Sequence, residues 1–246
     1  MLRFSHGNAK INKQTIIFNL PAGTTCPGAS KCLSFVKLSD NGKRSIVDGK
    51  ETEFRCFAAS SEVQYDGVYN NRQHNLKLIR DALDNNNCAQ LIHDSLQNAR
   101  KKSTKLVRIH ESGDFFNREY LMAWVLVAQH NPDLKFYCYS KNLPLFVNAN
   151  LPSNFYMTAS YGGKFDSLID QGLFTRYAKV FMTEDDANRA GLKVDSQDQS
   201  CFEDEPFALL VHGTQPAGSA WGKASRMNRK IQREKVKQTA TAVSVN

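Results

Sequence analysis

The chain has 246 residues, 41% of them hydrophobic, and 32 Lys and Arg against 24 Asp and Glu give a formal net charge of +8. That apolar fraction suffices for one sizeable core, but no run approaches the roughly 20 apolar residues of a membrane span. The longest, Leu121–Ala128, fits a helix interior. The start, Met1–Gly7, has no apolar signal region, so a secretory leader is not expected and a reducing, cytoplasmic compartment is.

Taken in chain order, Thr15–Leu20 reads as an apolar strand. It runs into a loop, Leu20–Cys32, whose prolines and glycines set a turn-rich path and whose Cys26 and Cys32 stand six positions apart. The polar stretch 39–44 suggests a hairpin or an excursion, and Glu53–Phe57 alternates apolar and polar residues around Cys56. A helix is expected from about Ser60 to Leu83, broken at Asp84–Asn87, and a second from Cys88 to Lys101. Strands are then expected at 105–110, 134–139, 154–158, 177–182 and 206–212. The helices between them are a long one capped by Asn117, short ones near 143–150 and 166–172, and one over Glu184–Ala190 capped by Thr183. A basic helix over Trp221–Lys237 and a disordered tail, Thr239–Asn246, close the chain.

Strand and helix alternating at this spacing predict a single α/β domain with a mostly parallel sheet. Each strand is followed by a glycine-bearing or hydrogen-bonding cluster: Ser112-Gly113-Asp114, Ser140-Lys141-Asn142, Ser160–Gly163, Thr183–Asp185 and His212–Gln215. Loops from every strand converge at one end of a barrel, whereas an open doubly wound sheet gathers only those at its switch point. A partial (β/α) barrel over residues 1–221 is therefore expected, with its last strand beside the first. Residues 222–246 form a separate basic segment. It holds seven Lys and Arg against one glutamate, so most of the net charge sits there. Residues 223–237 are either a nucleic-acid contact or a solvated helix face.

Six cysteines in a reducing compartment read as ligands, reactive thiols or core residues rather than disulfides. Cys26, Cys32 and Cys56 are the candidate metal ligands. Their spacing is wider than that of zinc knuckles and suits an iron–sulfur cluster better, with zinc as the alternative. Cys201, in a polar turn before the last strand, is the candidate fourth ligand. Cys138 lies mid-strand and is expected to pack, and Cys88 is expected to be a surface thiol.

The second constellation is Arg108–Phe116. Gly113 permits close approach of a ligand or backbone, Asp114 can hydrogen-bond a ligand hydroxyl or amine, and His110 can move protons near neutral pH. The competing reading makes Asp114 a capping side chain and His110 a core residue. Lys141 and His212 are weaker candidates of the same kind, with Ser112 beside them and Gly113, Ser140 and Gly213 as cofactor-approach positions.

Four blocks carry a family resemblance: Phe4–Lys10 with Leu20–Ala29, Phe54–Ser60, Arg108–Phe116 and His212–Ser219. With them the chain resembles the phage "gene product 88" domain family, which implies a phage origin and a host-cell cytoplasmic setting more than a reaction. Its cysteine-first β/α layout also resembles the radical S-adenosylmethionine enzymes. The resemblance implies a [4Fe-4S] cluster at the mouth of a partial barrel. Those enzymes place three cysteines in one C-x3-C-x2-C loop, a motif this chain lacks. Four cysteines would saturate a cubane, while three would leave one iron open. The functional expectation is an iron–sulfur protein, a redox or radical-type enzyme on an unknown substrate. The alternative is a zinc-stabilised nucleic-acid-binding protein.

Overall fold

The computed structural model describes residues 1–7 and 11–243, with side chains to Glu234. Strand β1 (Phe4–His6) lies antiparallel to β2 (Thr15–Phe18), whose four residues are all buried. The cysteine loop leaves β2 as expected. Residues 39–43 then turn a two-stranded hairpin, β3 (Ser34–Leu38) and β4 (Arg44–Asp48), separate from the main sheet.

The alternation at Glu53–Phe57 forms no strand, because Phe57 opens α1 (Phe57–Gln64). The single helix expected over 60–83 is two. Tyr65 is extended (φ −124°, ψ 115°), and Asp66 restarts the chain as α2 (Asp66–Asp84) with its carboxylate in the first turn. Helix α3 (Cys88–Ala99) packs Cys88, Ile92, Ser95 and Leu96 inward at helical spacing. Cys88 is therefore buried, not a surface thiol: it starts the inward face of that helix.

Thereafter the expected rhythm holds. The elements are β5 (Leu106–Ile109), α4 (Arg118–Gln129), β6 (Lys135–Ser140), β7 (Phe155–Ser160), α5 (Asp166–Asp170), β8 (Tyr177–Phe181), α6 (Glu184–Arg189), β9 (Phe207–Leu210) and α7 (Ala220–Val243). Asn117 caps α4, its side-chain oxygen accepting from Tyr120 N, and Thr183 and Asp186 form a reciprocal capping box on α6. The helix expected at 143–150 is one 3-10 turn, Leu143–Leu145. The backbone expected to be disordered from Thr239 stays helical to Val243. Residues 244–246, and Asn8–Lys10 of the first resemblance block, lie outside the described residues.

The seven-stranded sheet runs β1-β2-β5-β6-β7-β8-β9, with every neighbour from β2 onward parallel. Each new strand adds on the same side, without the order reversal of a doubly wound sheet, so the sheet is partial-barrel-like. One face carries Ile16, Phe18, Val107, Ile109, Phe136 and Cys138 against α2, α3 and α4, with Trp124 fully buried between them. The other, inner face alternates to Arg108, Tyr137 and Tyr139, with Phe207 across from them. The expected pairing of last strand with first does not occur. β1 occupies the free edge of β2, and β9 ends the sheet at the other side. Among the described residues no helix is long and apolar enough to cross a membrane.

Candidate metal centre and cavity mouth

A cavity of about 780 Å³ opens at the carboxyl ends of the strands. Cys26, Cys32 and Cys56 all line it, although thirty residues separate the first from the last. Three local devices bring them there. The cysteine loop is fastened to the β7–α5 loop by Lys31 N to Gly162 O (2.9 Å) and Lys164 N to Gly28 O (2.9 Å). Gly28 passes so close to β6 that a Cβ would sit 2.2 Å from Lys141 O. Cys56 is the N-cap of α1, with Ala59 N donating to its carbonyl oxygen (3.2 Å).

The fourth tie is Glu62, on α1 and 1% exposed. Its Oε1 accepts from Ala22 N (2.8 Å) at the head of the cysteine loop and from Arg72 Nη1 (2.8 Å) on α2. Ser112 Oγ approaches the same oxygen at 3.5 Å. One carboxylate thus joins the Cys56 helix, the Cys26 loop and the loop after β5. Nothing in the sequence marked Glu62, which reads as an ordinary helix acid.

The thiols act on one another. Burial raises Cys26 well above the usual thiol range, and the charges of Asp114, Cys56 and Cys32 push it further. Burial followed by Cys32 raises Cys56 to about 11. Burial and mutual repulsion therefore disfavour three thiolates at once unless positive charge arrives. Among the described residues no three His, Cys, Asp or Glu side chains converge closely enough to hold a single metal ion.

Cys201 is elsewhere. Fully buried, it donates to Tyr139 Oη (2.9 Å) within the cluster of Tyr137, Ala178 and Phe207. Burial first, and then Asp198, raises its thiol to about 12. Cys138 packs among the core residues on the helix side of the sheet.

The loop after β5 makes the cavity wall. Gly113 has φ 91°, and a Cβ there would lie 2.7 Å from Leu20 Cβ and 2.8 Å from Thr25 Oγ1. Its role is close packing of two backbones rather than ligand approach alone. Gly113→Ala should cost about 1–3 kcal/mol, read as a lower denaturant midpoint with unchanged slope. Asp114 is 4% exposed and fully engaged: Oδ1 accepts from Phe115 N and Ser140 Oγ (both 2.7 Å), Oδ2 from Lys141 N (2.8 Å). Burial raises its carboxyl to about 6, against these hydrogen bonds. A carboxyl raised on folding makes stability fall as pH rises from about 4 to about 6. Asp114→Asn should flatten that slope in pH-dependent unfolding. It should also lose about 1–3 kcal/mol, since an amide nitrogen must face one of three donors.

His110 sits at φ 67°, 3% exposed, with Nε2 2.9 Å from Tyr120 Oη and its ring edge-on to Phe115. Burial lowers its pKa to about 3, so it stays neutral at physiological pH. Lys141 Nζ is tied to Ser160 Oγ and to Tyr161 O (2.7 Å). His212 is exposed and its ring lies tilted against Phe57 (4.4 Å), and Gly213 turns the chain past that ring at φ 78°. Sequence reasoning also missed the inner-face pair Arg108–Asp198. Burial opposes the Arg108 charge, but Asp198 outweighs it and the pKa is raised. The Tyr137 and Tyr139 hydroxyls both donate to Asp198, at 3.2 and 3.1 Å. An arginine in mid-strand is the only sequence cue to this pair.

Fold and site together define a mixed α/β protein of partial-barrel form with three thiols at the mouth. Its sequence matches the family described as "Gene product 88" over residues 2–237, and the chain belongs to that family. It is similar to the "Gene 88 protein" of Mycobacterium phage L5, 35% identical over 91 residues, which are 35% of this chain and 38% of that protein. The "Gene 88 protein" of Mycobacterium phage D29 is 33% identical over 106 residues, 40% of this chain and 44% of that one. The chain thus aligns with less than half the length of either relative, and its origin is bacteriophage. No solved structure matches it.

Proposed function

We propose that this chain is an iron–sulfur protein carrying a [4Fe-4S] cluster on Cys26, Cys32 and Cys56 at the mouth of its partial barrel. The observation that carries this is that three thiols, from two separate segments, line one cavity, and that Cys32 and Cys56 act on Cys26 electrostatically. With Cys201 bonded to Tyr139, three thiolates remain, and a bound cluster would supply electron transfer or an open iron for substrate chemistry. A likeness in layout to radical S-adenosylmethionine enzymes would fit an open iron, but the missing C-x3-C-x2-C motif keeps use of that cosubstrate outside the proposal.

The chain's own groups have definable tasks. The N-terminus of α1 offsets part of the burial that disfavours a thiolate at Cys56. Asp114 locks the loops after β5 and β6 into one wall, and Glu62 sets the two thiol-bearing segments against each other. His110 and Lys141, with their partners above, position Tyr120 and the β7 loop and do not act as free acid or base. Anaerobic purification or reconstitution tests the reading. Brown protein with iron and sulfide in near-equal amounts and absorbance near about 400 nm supports it. Colourless protein holding stoichiometric zinc overturns it in favour of a zinc-stabilised nucleic-acid binder.

A further inference from the structure

The charged groups inside the cavity already answer one another. Arg108 is paired with Asp198 and Arg55 with Asp48, and Lys141 is held by Ser160 and Tyr161. Asp114 accepts from Phe115 N, Ser140 Oγ and Lys141 N, and Asp195 accepts from Gln197 N and Ser200 N (both 2.7 Å). Glu111 is engaged as well. At the rim the exposed charges are of both signs, Glu184 and Asp185 against Arg229. A ligand's charge therefore finds no dedicated partner inside, and burying it there would go uncompensated.

What the cavity leaves uncovered is aliphatic. Val180 of β8 and Leu209 of β9 are register partners, and Leu209 packs beside Ala178 and Phe207 on the inner face. Leu210, Val194, Met227 and Ile231 line the same space. Met227 and Ile231 stand four residues apart on α7, so they share one flank of the helix, and they are 45% and 40% exposed. Polar bonds fix that helix in place instead. Asn228 Nδ2 donates to Met182 O (2.9 Å) and Val211 O (3.1 Å), and Ser225 Oγ donates to Gly213 O (2.8 Å). Large apolar side chains left open beside a cavity mark the place of a ligand. In strand order β8 and β9 lie at the far end of the sheet from β2, which leads into the cysteine loop. The aliphatic and thiol walls thus come from different ends of the sheet.

We propose that the cavity binds an uncharged molecule through an aliphatic chain seated on Val180, Leu209, Leu210, Met227 and Ile231. This names the ligand class of the cavity read above as the iron–sulfur site, and a substrate role for that ligand rests on that reading. Each methylene moved from water onto the wall favours binding about fourfold. A volume of about 780 Å³ is within the range that encloses a drug-sized molecule. An ion of the same chain length binds more weakly, because its head is dehydrated without a partner. A second copy of this chain is the competing occupant. It would cover the exposed Met227 and Ile231 but leave Val180 and Leu209, inside, open.

The test is isothermal titration calorimetry of the full chain with hexanol, octanol and decanol, with iron measured in each sample. Affinity should rise about fourfold per added methylene, with a negative heat-capacity change on binding. The double variant Met227→Gln, Ile231→Gln changes only exposed positions and should weaken octanol binding at least about fivefold. The variant Leu126→Gln, Leu173→Gln removes equally exposed apolar groups outside the cavity lining, and it should bind as wild type does. Decanoate and decylamine should each bind more weakly than decanol. Absence of alkanol binding, equal losses in the two variants, or a charged head bound as tightly as decanol would overturn the proposal. So would a wild-type dimer in sedimentation that binds no alkanol and that Met227→Gln, Ile231→Gln dissociates, since the wall would then belong to a second copy. Iron-free protein that binds the alkanols removes the cluster reading and leaves this one standing, whereas iron-loaded protein that binds none overturns this one alone.

Discussion

Cys26→Ala and Cys56→Ala proteins, reconstituted anaerobically, should each retain at least about tenfold less iron than wild type, whereas Cys88→Ala and Cys201→Ala should keep theirs. Loss of a direct ligand should exceed the 10–100-fold effect typical of groups one step removed. The contrast follows from placement. Cys26 and Cys56 line the cavity, and Cys56 adds to the resistance of Cys26 to ionisation. Cys88 lies in the core on the inward face of α3, and Cys201 is bonded to Tyr139. Iron content and the electron paramagnetic resonance of the reduced protein read the result. Equal iron in all four variants would remove the site. Selective loss in Cys201→Ala would restore a fourth protein ligand and close the open iron.

Arg72→Met should be strongly destabilising, at about 3–5 kcal/mol near neutral pH. Arg72 is 5% exposed and Glu62 1%, so the variant leaves a carboxylate buried without its partner. Burial already raises the Glu62 carboxyl, with Arg72 the main opposing charge. Removing the guanidinium raises it further. A carboxyl raised on folding contributes stability at low pH and loses it as pH climbs through its folded-state value. The Arg72→Met defect should therefore be small near pH 4 and full near pH 8 in urea unfolding. The double variant Glu62→Gln, Arg72→Met should recover much of the loss, because no charge is left stranded. Because Glu62 also holds Ala22 N, Arg72→Met should lose iron faster to a chelator. A pH-independent defect would mean that packing, not charge, dominates at this position.

Much of the architecture was legible because it is local. Asn117 and Thr183 announce helix starts through their own side chains, and Val107 and Ile109 alternate with Arg108 as a strand with two different faces must. The loop clusters at strand ends, repeated five times, pointed to a barrel-like mouth. The misjudged points turn on partners far away in the chain. Tyr65 breaks a helix that periodicity alone continues, and Cys88 is buried by helices that its neighbours in sequence do not reveal.

By itself the sequence determined the alternation of strands and helices, the cysteine loop after β2, the polar loop after β5 and the basic character of α7. These depend on side-chain period, turn chemistry and charge, which each segment carries on its own. The tertiary structure decided which groups meet. It joined Cys56 to Cys26 and Cys32 through Glu62, withdrew Cys201 to Tyr139, engaged Lys141 with the β7 loop and Asp114 with Ser140, and kept the sheet open at β9. Such meetings are set by strand order and by the pairing of buried polar groups across distant segments, and no local pattern encodes them.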